Sequence, residues 1–426
     1  MKRFLRAAAL ALAALAMLTS PRSASAADRE PAFDIGLAVD VDTITVTPVD
    51  AATISWRSPG GAERMAEVRE PVRLRVSGAQ ILVEPQGHAR AVPLAVLELR
   101  DTLWIGDASF VHGDTARLAW NGRHWRGRFK AFFSPRTRLT LATRIDLEAY
   151  LLGVVPGEIG GLRDSLVEAG RAQAIAARSY TLFYRGRRGA EGFDLYATVE
   201  DQVYGAVESE RPLASRCVES TRGLVCTWRG APIRANYCST CGGITADVWE
   251  AWPTEDRPYL RSTADRDAGG PDHCALSPQY RWRERWSADE FTGTIARWAS
   301  SQNVAIPDHG VGDLRDVVVD ARSRSGRVWR MRVVTTTGEI VLPAYAIRSV
   351  LRRPGGASAI LRSNLFKIAV HRDAAGHADA VIASGAGSGH GVGLCQTGAL
   401  EMARGGARAA AILAHYYAGT RVEAQY

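Results

Sequence analysis

The sequence predicts an α+β protein: a β-rich N-terminal region, then a mixed α/β core with an Ala-rich central helix and inserted β segments. Three observations predict this class. Residues 33–57 alternate and are rich in β-branched side chains, which is typical of short strands. Residues 162–183 place apolar side chains three and four positions apart, as an amphipathic helix does. Residues 326–342 alternate around a Thr-Gly turn, which predicts a hairpin.

The N-terminal region is predicted to cover residues 27–137 and to consist of short strands. Its alternating segments are separated by turn residues and contain few helix-like spacings. The segments that carry this pattern are residues 33–57, 72–76, 80–84, 125–133 and 138–141.

A second domain is predicted over residues 138–426, and it begins with helices. Asp146 is the candidate N-cap of a first helix, which the Val-Val-Pro-Gly sequence after Gly153 is predicted to break. The Ala-rich face of the helix at 162–183 would let another element approach closely, although Gly170 costs about 1 kcal/mol relative to Ala. A β-rich segment at about 287–382 is inserted before the C-terminal helix.

The N-terminus carries the features of an exported protein. The formal net charge of the 426 residues is +8, but four basic and no acidic residues lie in the first 26. The rest is weakly basic, so we predict no nucleic-acid partner. A basic start, an Ala- and Leu-rich run and an Ala-Ser-Ala sequence predict a signal peptide over residues 1–26, with an uncleaved anchor as the alternative. The mature protein is predicted to be periplasmic or extracellular, without a membrane span.

Glu158 is the first candidate for chemistry. It follows a Pro-Gly pair and has Val154, Val155 and Ile159 around it. An apolar setting raises the pKa of a carboxyl group, as a general acid requires. A nearby helix N-terminus would lower it, so the sequence leaves the direction open.

Six cysteines lie beyond residue 216, and export would permit them to form disulfides. One pair has the Cys-x-x-Cys spacing that suits a metal ion, while no βαβ pattern supports a redox role. Three disulfides, with Cys217–Cys226 and Cys241–Cys274 as examples, and a tetrahedral zinc site both remain open at this point. The cysteines are Cys217, Cys226, Cys238, Cys241, Cys274 and Cys395.

A Gly-rich segment at residues 389–398 is the third candidate. Glycines at every second position allow the backbone to pass close to a ligand and would hold His390 and Gln396 in a tight loop. The spacing matches neither a dinucleotide-binding loop nor a nucleophile elbow.

Five motifs, in this order, resemble the SpoIID/LytB family, named for stage II sporulation protein D and an amidase-enhancer protein. The resemblance covers roughly residues 140–420, with a looser match in the N-terminal strands. The motifs are residues 147–158 (LEAYLLGVVPGE), 172–180 (AQAIAARSY), 239–243 (STCGG), 258–262 (PYLRS) and 389–396 (GHGVGLCQ).

The resemblance implies an exported cell-wall protein with lytic transglycosylase activity on peptidoglycan glycan strands, preferably strands without stem peptides. Glu158 matches the catalytic acid, which would protonate the oxygen between N-acetylmuramic acid and N-acetylglucosamine. The same group would then take the proton of the sugar's 6-hydroxyl, giving a 1,6-anhydro product without a second carboxylate. The positions implied to bind substrate are Arg171, Gln173, Arg178, Ser239, Thr240, His390 and Gln396.

The resemblance also bears on the cysteines. The family often has His where Cys238 stands, and the segments that hold four of the cysteines line one cleft in the family. We therefore predict a structural zinc ion, the one cofactor, rather than two disulfides among these four. The predicted ligands are Cys238, Cys241, Cys274 and Cys395, and the predicted disulfide is Cys217–Cys226.

Two other functions remain open. As the LytB branch is thought to do, the chain could bind peptidoglycan without cutting it and enhance a cell-wall amidase, which would then be a partner. A zinc hydrolase would need an open coordination position, which four cysteine ligands do not leave.

Overall fold

A computed structural model describes residues 30–57, 61–87, 93–112, 115–355 and 359–426. The predicted signal peptide lies outside these residues. The α+β class is confirmed, because helices and several separate sheets alternate along the chain. Within the described ranges, no helix is both long and apolar enough to cross a membrane.

The N-terminal region consists of two sheets, which are antiparallel except where a later short strand pairs in parallel with the first. Its strands, together with one later short strand, are β1 (Ala32–Val41), β2 (Thr43–Pro48), β3 (Ala52–Arg57), β4 (Glu63–Val68), β5 (Val72–Ser77), β6 (Gln80–Pro85), β7 (Ala95–Leu97), β8 (Thr102–Ile105), β9 (Leu118–Trp120), β10 (Arg123–Trp125), β11 (Arg128–Phe133), β12 (Leu139–Asp146) and β13 (Leu195–Tyr196). One sheet has the order β13-β1-β12-β11-β8-β3-β4 and the other β10-β9-β2-β5-β6-β7. Their inward apolar side chains share one core, as alternation along each strand requires.

The predicted strands are present, with two differences. Residues 125–133 form two strands rather than one, because Gly127 between them has a φ of 89°. The last strand runs to Asp146 and pairs with both β1 and β11. The first sheet therefore leads directly into the first helix.

The helices are α1 (Leu147–Glu158), α2 (Val167–Phe183), α3 (Pro212–Glu219), α4 (Val248–Ala251), α5 (Ala288–Trp298), α6 (Ala344–Val350), α7 (Gln396–Arg404) and α8 (Ala409–Tyr416). The prediction that α1 breaks after Gly153 was wrong, since the helix continues through Pro156 to Glu158. Pro156 removes only one N–H in the final turns, and the Ile159 N–H still bonds the Val155 carbonyl at 3.0 Å.

The Ala-rich helix α2 packs closely against its neighbours, as predicted. A Cβ atom added at Gly170 would lie 2.6 Å from the Cys217 Sγ of α3. The glycine is therefore explained by packing, because any larger residue would push α3 away.

The remaining strands are β14 (Leu224–Trp228), β15 (Ala231–Pro232), β16 (Tyr237–Cys238), β17 (Arg281–Ser287), β18 (Leu314–Arg322), β19 (Val328–Thr335), β20 (Glu339–Pro343), β21 (Phe366–Arg372), β22 (Ala378–Ala386), β23 (Leu394–Cys395) and β24 (Arg421–Ala424). Sheets β17-β22-β21 and β18-β19-β20, with α5 and α6, surround a second hydrophobic core. This unit, called the insert below, contains the predicted β19–β20 hairpin.

Candidate active site

A cleft of about 440 Å³ lies where the core helices, β16, the Gly-rich loop and the insert meet. This volume lies within the usual range for ligand pockets. Its lining includes Glu158 from the end of α1, Tyr237 from β16, Gln396 from the start of α7 and Arg348 from α6. The structure therefore brings the acid of the first motif and the Gly-rich loop of the last motif to one site.

Glu158 is half-buried, and both of its carboxylate oxygens face donors. Oε1 accepts a hydrogen bond from the Val203 N–H at 2.8 Å. Oε2 lies 3.4 Å from Nε2 of Gln396, which is also 3.4 Å from Oε1 of the fully buried Gln173. The Tyr237 hydroxyl hydrogen bonds the same carboxyl group. Gln173 thus positions Gln396 from behind, without lining the cleft itself.

Burial raises the pKa of Glu158, and the hydrogen bonds from Val203, Gln396 and Tyr237 offset this only in part. The sequence could not decide the direction because a helix N-terminus nearby would have opposed the shift. Glu158 is instead the last residue of α1, where the negative end of the helix dipole also disfavours a carboxylate. A raised pKa favours the protonated form that a general acid needs.

Gln202 orients Tyr237 toward the carboxyl group. Its Nε2 donates to the Tyr237 hydroxyl oxygen at 2.9 Å. Its Oε1 accepts from the hydroxyls of Thr181 at 2.7 Å and Tyr150 at 3.3 Å. Because the Tyr237 oxygen accepts from Gln202, its own hydrogen remains available for Glu158. The sequence analysis missed Tyr237 and Gln202, and only the position of Tyr237 next to the Cys-x-x-Cys motif could have indicated it.

The Gly-rich loop is attached to the cysteine motif by backbone pairing. β16 and β23 form a two-residue parallel ladder, which places Tyr237 opposite Leu394 and Cys238 opposite Cys395. The four alternating glycines at 387, 389, 391 and 393 all have a positive φ, between 74° and 106°, a conformation that other residues rarely adopt. The pattern is therefore a requirement of the loop's backbone.

His390 lines the cleft from this loop. Its Nδ1 accepts the Val392 N–H at 3.0 Å, and its ring lies 5.0 Å from the ring of Trp252. Burial lowers the pKa of His390 to about 3, with further lowering by the guanidinium groups of Arg348 and Arg234. The imidazole is therefore neutral at physiological pH and holds the loop in place.

The insert contributes one wall of the cleft through Arg348 and Ile360. The Arg348 Nε donates to the Leu361 carbonyl at 2.9 Å. No carboxylate of the described residues lies within 4 Å of this guanidinium group. Arg187, the other arginine at the cleft, is paired with Asp201 at 3.0 Å. The sequence analysis did not identify Arg348.

Arg178 does not reach the cleft, so its predicted role in binding substrate is corrected. Its side chain is completely buried and forms two hydrogen bonds with Glu148, at 2.7 and 2.8 Å. It also donates to the carbonyl of Leu224 at 2.9 Å. These contacts join α2 to the start of α1 and to β14, which is a structural role.

Two further predicted binding residues lie away from the cleft. Arg171 pairs with Glu168 at 2.7 Å on the outer face of α2. Thr240 is buried, and its hydroxyl bonds that of Ser277 at 2.8 Å. Ser239, by contrast, lines the cleft, and its role in binding substrate stays a prediction.

Four side chains form a buried cluster behind the cleft, called the cysteine cluster below. Its ligand atoms lie within 4.8 Å of one another, and hydrogen bonds from the Cys241 and Cys395 thiols hold the pKa of Cys274 below its usual value. Cys238 was predicted to belong to this group, but its thiol instead accepts a hydrogen bond from the Gly391 N–H. The sequence analysis missed the aspartate. The members are Cys241, Asp265, Cys274 and Cys395.

The predicted disulfide between Cys217 and Cys226 is not formed, and both are free thiols. Cys217 packs against Gly170 of α2, while the Cys226 N–H bonds the Ser179 hydroxyl at 2.8 Å. Those two positions are about 13 Å apart along a helix. A disulfide needs Cα atoms within about 7 Å, so the two cysteines are too far apart.

Comparisons with known proteins agree with the motifs. Residues 135–228 match the family model described as Stage II sporulation protein, and residues 267–393 match a domain of unknown function (DUF8618). Stage II sporulation protein D of Bacillus subtilis is 26% identical over 67% of this chain and 77% of its own length. An uncharacterized protein of Brachyspira hyodysenteriae is 25% identical over 71% of this chain and 73% of its own.

The amidase enhancer of Bacillus subtilis is 29% identical over 63% of this chain, but the aligned part spans only 40% of its own length. The family model covers α1 with Glu158 and the whole of α2. The DUF8618 match covers the insert and reaches into the Gly-rich loop. These matches agree with the resemblance of the motifs to the SpoIID family.

Proposed function

We propose that this protein is an exported lytic transglycosylase that cleaves the glycan strands of peptidoglycan. Relatives named stage II sporulation protein D and amidase enhancer support the coarser statement that its function concerns the cell wall. The observation that carries the finer proposal is Glu158, a carboxyl group with a raised pKa that faces an open cleft.

The reaction needs one group that first gives and then takes a proton. Glu158 would protonate the glycosidic oxygen while the bond from C1 of N-acetylmuramic acid breaks, through an oxocarbenium-like transition state. Its carboxylate would then remove the proton of the 6-hydroxyl as that oxygen bonds C1. The product is a 1,6-anhydro sugar, no water is consumed, and Glu158 returns to its acid form. The donors Val203, Gln396 and Tyr237 would stabilise the carboxylate between the two steps.

The ion pairs of Asp201, a second carboxyl group at the cleft, favour this reaction over hydrolysis. Asp201 also lines the cleft, but its oxygens bond Arg187 and Arg188 at 3.0 Å, and its own exposure is 9%. A carboxylate held by two arginines is a weak base for activating water. Among the described residues, the remaining acid at the cleft is the exposed Glu200.

An arginine of the insert would explain a preference for glycan strands without stem peptides. Removing the stem peptide from N-acetylmuramic acid leaves a free lactyl carboxylate. Arg348 presents a guanidinium group at the cleft without an acid partner among the described residues. A charge-assisted hydrogen bond to that carboxylate would favour strands without stem peptides.

The test is product analysis on purified glycan strands without stem peptides. We expect wild-type protein to release 1,6-anhydro fragments and Glu158→Gln to lose at least a hundredfold of that rate, as removal of a general acid does. Glu219→Gln, an exposed change outside the cleft, is the matched control. Products with ordinary reducing ends would instead indicate hydrolysis with Glu200 as the base.

The alternative is a protein that binds glycan and enhances an amidase without cutting, as the name of the third relative suggests. In that case Glu158→Gln would leave the stimulation of an added cell-wall amidase unchanged, and neither protein would release anhydro fragments. The same assays therefore separate the two functions.

A further inference from the structure

We propose that the cysteine cluster is a structural zinc site that fixes the far wall of the cleft. The proposal concerns residues that do not line the cleft, and it holds whether or not the protein cuts glycan. It depends on the positions of three sulfur atoms and one carboxylate oxygen.

The distance between two of the sulfur atoms suits a tetrahedral ion. The Sγ atoms of Cys241 and Cys274 are 3.7 Å apart. Two thiolates at the usual zinc–sulfur distance of about 2.3 Å, at a tetrahedral angle, would be separated by about 3.8 Å. All four side chains have no exposure to solvent, and the donors are those that zinc prefers.

Asp265 is aimed at the centre of the cluster by an outer hydrogen bond. The Tyr416 hydroxyl donates to Oδ1 at 2.6 Å, which leaves Oδ2 directed at the Cys241 Sγ, 3.0 Å away. An outer partner of this kind orients ligands in metal sites. Cys395 is similarly fixed, because the N–H groups of Cys241 and Gly398 point at its sulfur at 3.2 and 3.4 Å.

Such an ion would have a structural role. Three thiolates and a carboxylate fill the tetrahedral shell and leave no position for water or substrate. The ligands come from four separate segments, and Cys395 directly precedes Gln396, whose amide lies 3.4 Å from the Glu158 carboxylate. Binding the ion would therefore hold the start of α7 in the position that this contact requires.

Metal content of the full mature chain tests the site directly. We expect about one zinc per chain after purification under reducing conditions, and cobalt substitution should give the absorption bands of a tetrahedral thiolate site. Cys274→Ser should lose the metal, whereas Asp265→Cys should keep it with a changed cobalt spectrum. Cys238→Ser is the matched control, since Cys238 is a neighbouring buried cysteine outside the cluster.

Circular dichroism of each variant shows whether loss of metal results from unfolding. The cobalt spectrum of the wild-type protein is an independent test, because it requires no substitution. The proposal is overturned if reduced wild-type protein binds no zinc or cobalt. It is also overturned if mass spectrometry finds a Cys241–Cys274 disulfide in the exported protein, or if Cys238→Ser abolishes binding as fully as Cys274→Ser.

Discussion

Two glutamates near opposite ends of α1 have opposite electrostatic surroundings. Glu148 is paired with Arg178, and the hydrogen bonds and charge of that guanidinium group lower its pKa against the effect of burial. Glu158 has hydrogen-bond donors but no cation partner among the described residues, and burial raises its pKa. One helix therefore carries a carboxyl group with a lowered pKa that holds the fold together and one with a raised pKa that faces the cleft. Burial alone therefore does not make a carboxyl group an acid catalyst.

The largest effect on stability should come from removing the guanidinium group that pairs with Glu148. Arg178→Met would leave Glu148 buried without its partner, and we expect the free energy of unfolding to fall by about 3–5 kcal/mol. The double variant with Glu148→Gln should recover part of this loss, because no unpaired charge remains. Urea unfolding measures both. If Arg178→Met instead kept full stability and lost cleavage, Arg178 would have the substrate role that the sequence suggested.

The two glutamates should give stability opposite pH dependences. The pKa of Glu148 is lowered on folding, so its contribution is present above the unfolded value of about 4.5 and is lost as pH falls through the folded value. The pKa of Glu158 is raised, so folding loses stability as pH rises above about 4.5 through its folded value. As pH rises above about 4.5, Glu158→Gln should therefore gain stability relative to wild type, and as pH falls below about 4.5 the stability deficit of Glu148→Gln relative to wild type should shrink. Unfolding midpoints at several pH values test this, and parallel slopes for both variants would contradict it.

Removing the Tyr237 hydroxyl should have a smaller effect, on the pKa of Glu158. Its hydrogen bond lowers the pKa of Glu158, so Tyr237→Phe should raise that pKa. The cleavage rate falls as pH rises through this pKa, and the variant should move that fall to higher pH. The pH–rate profile of glycan cleavage is the measurement, with Tyr204→Phe as a control for a buried tyrosine outside the cleft. An unmoved profile would mean that Tyr237 does not contact the acid.

The sequence predicted the features that depend on local pattern. Alternation predicted the strands and the β19–β20 hairpin, and the motifs predicted that Glu158 and Gln396 would share a cleft. It could not predict which acid would pair with Arg178, because Glu148 is selected by the packing of α1 against α2 and not by spacing. The prediction that α1 breaks before Pro156 was wrong, because a proline in the final turns of a helix removes only one backbone N–H.

The cysteines also show that local sequence pattern does not predict tertiary contacts. Cys238 and Cys241 are equivalent by spacing, yet the turn after β16 directs one thiol to the Gly391 N–H and the other into the cysteine cluster. Asp265 lies just after the motif at 258–262, which carries no metal-ligand spacing, and only the folded backbone brings it to Cys241. Residues that act through tertiary contact therefore had no sequence signal.

Arg348 belongs to that class, and its removal should have the smallest effect. Arg348→Gln would remove a charge-assisted hydrogen bond in a partly solvated cleft, so we expect the KM for strands with a free lactyl carboxylate to rise about fivefold with little change in kcat. Strands whose carboxyl groups are converted to amides should not distinguish the variant from wild type. Arg283→Gln, on the exposed face of β17, controls for the change in net charge of the insert. If Arg348→Gln lowered activity equally on both kinds of strand, the insert would have no role in substrate choice. The role of Glu158 would be unaffected, because the core supplies the acid and the insert supplies this arginine.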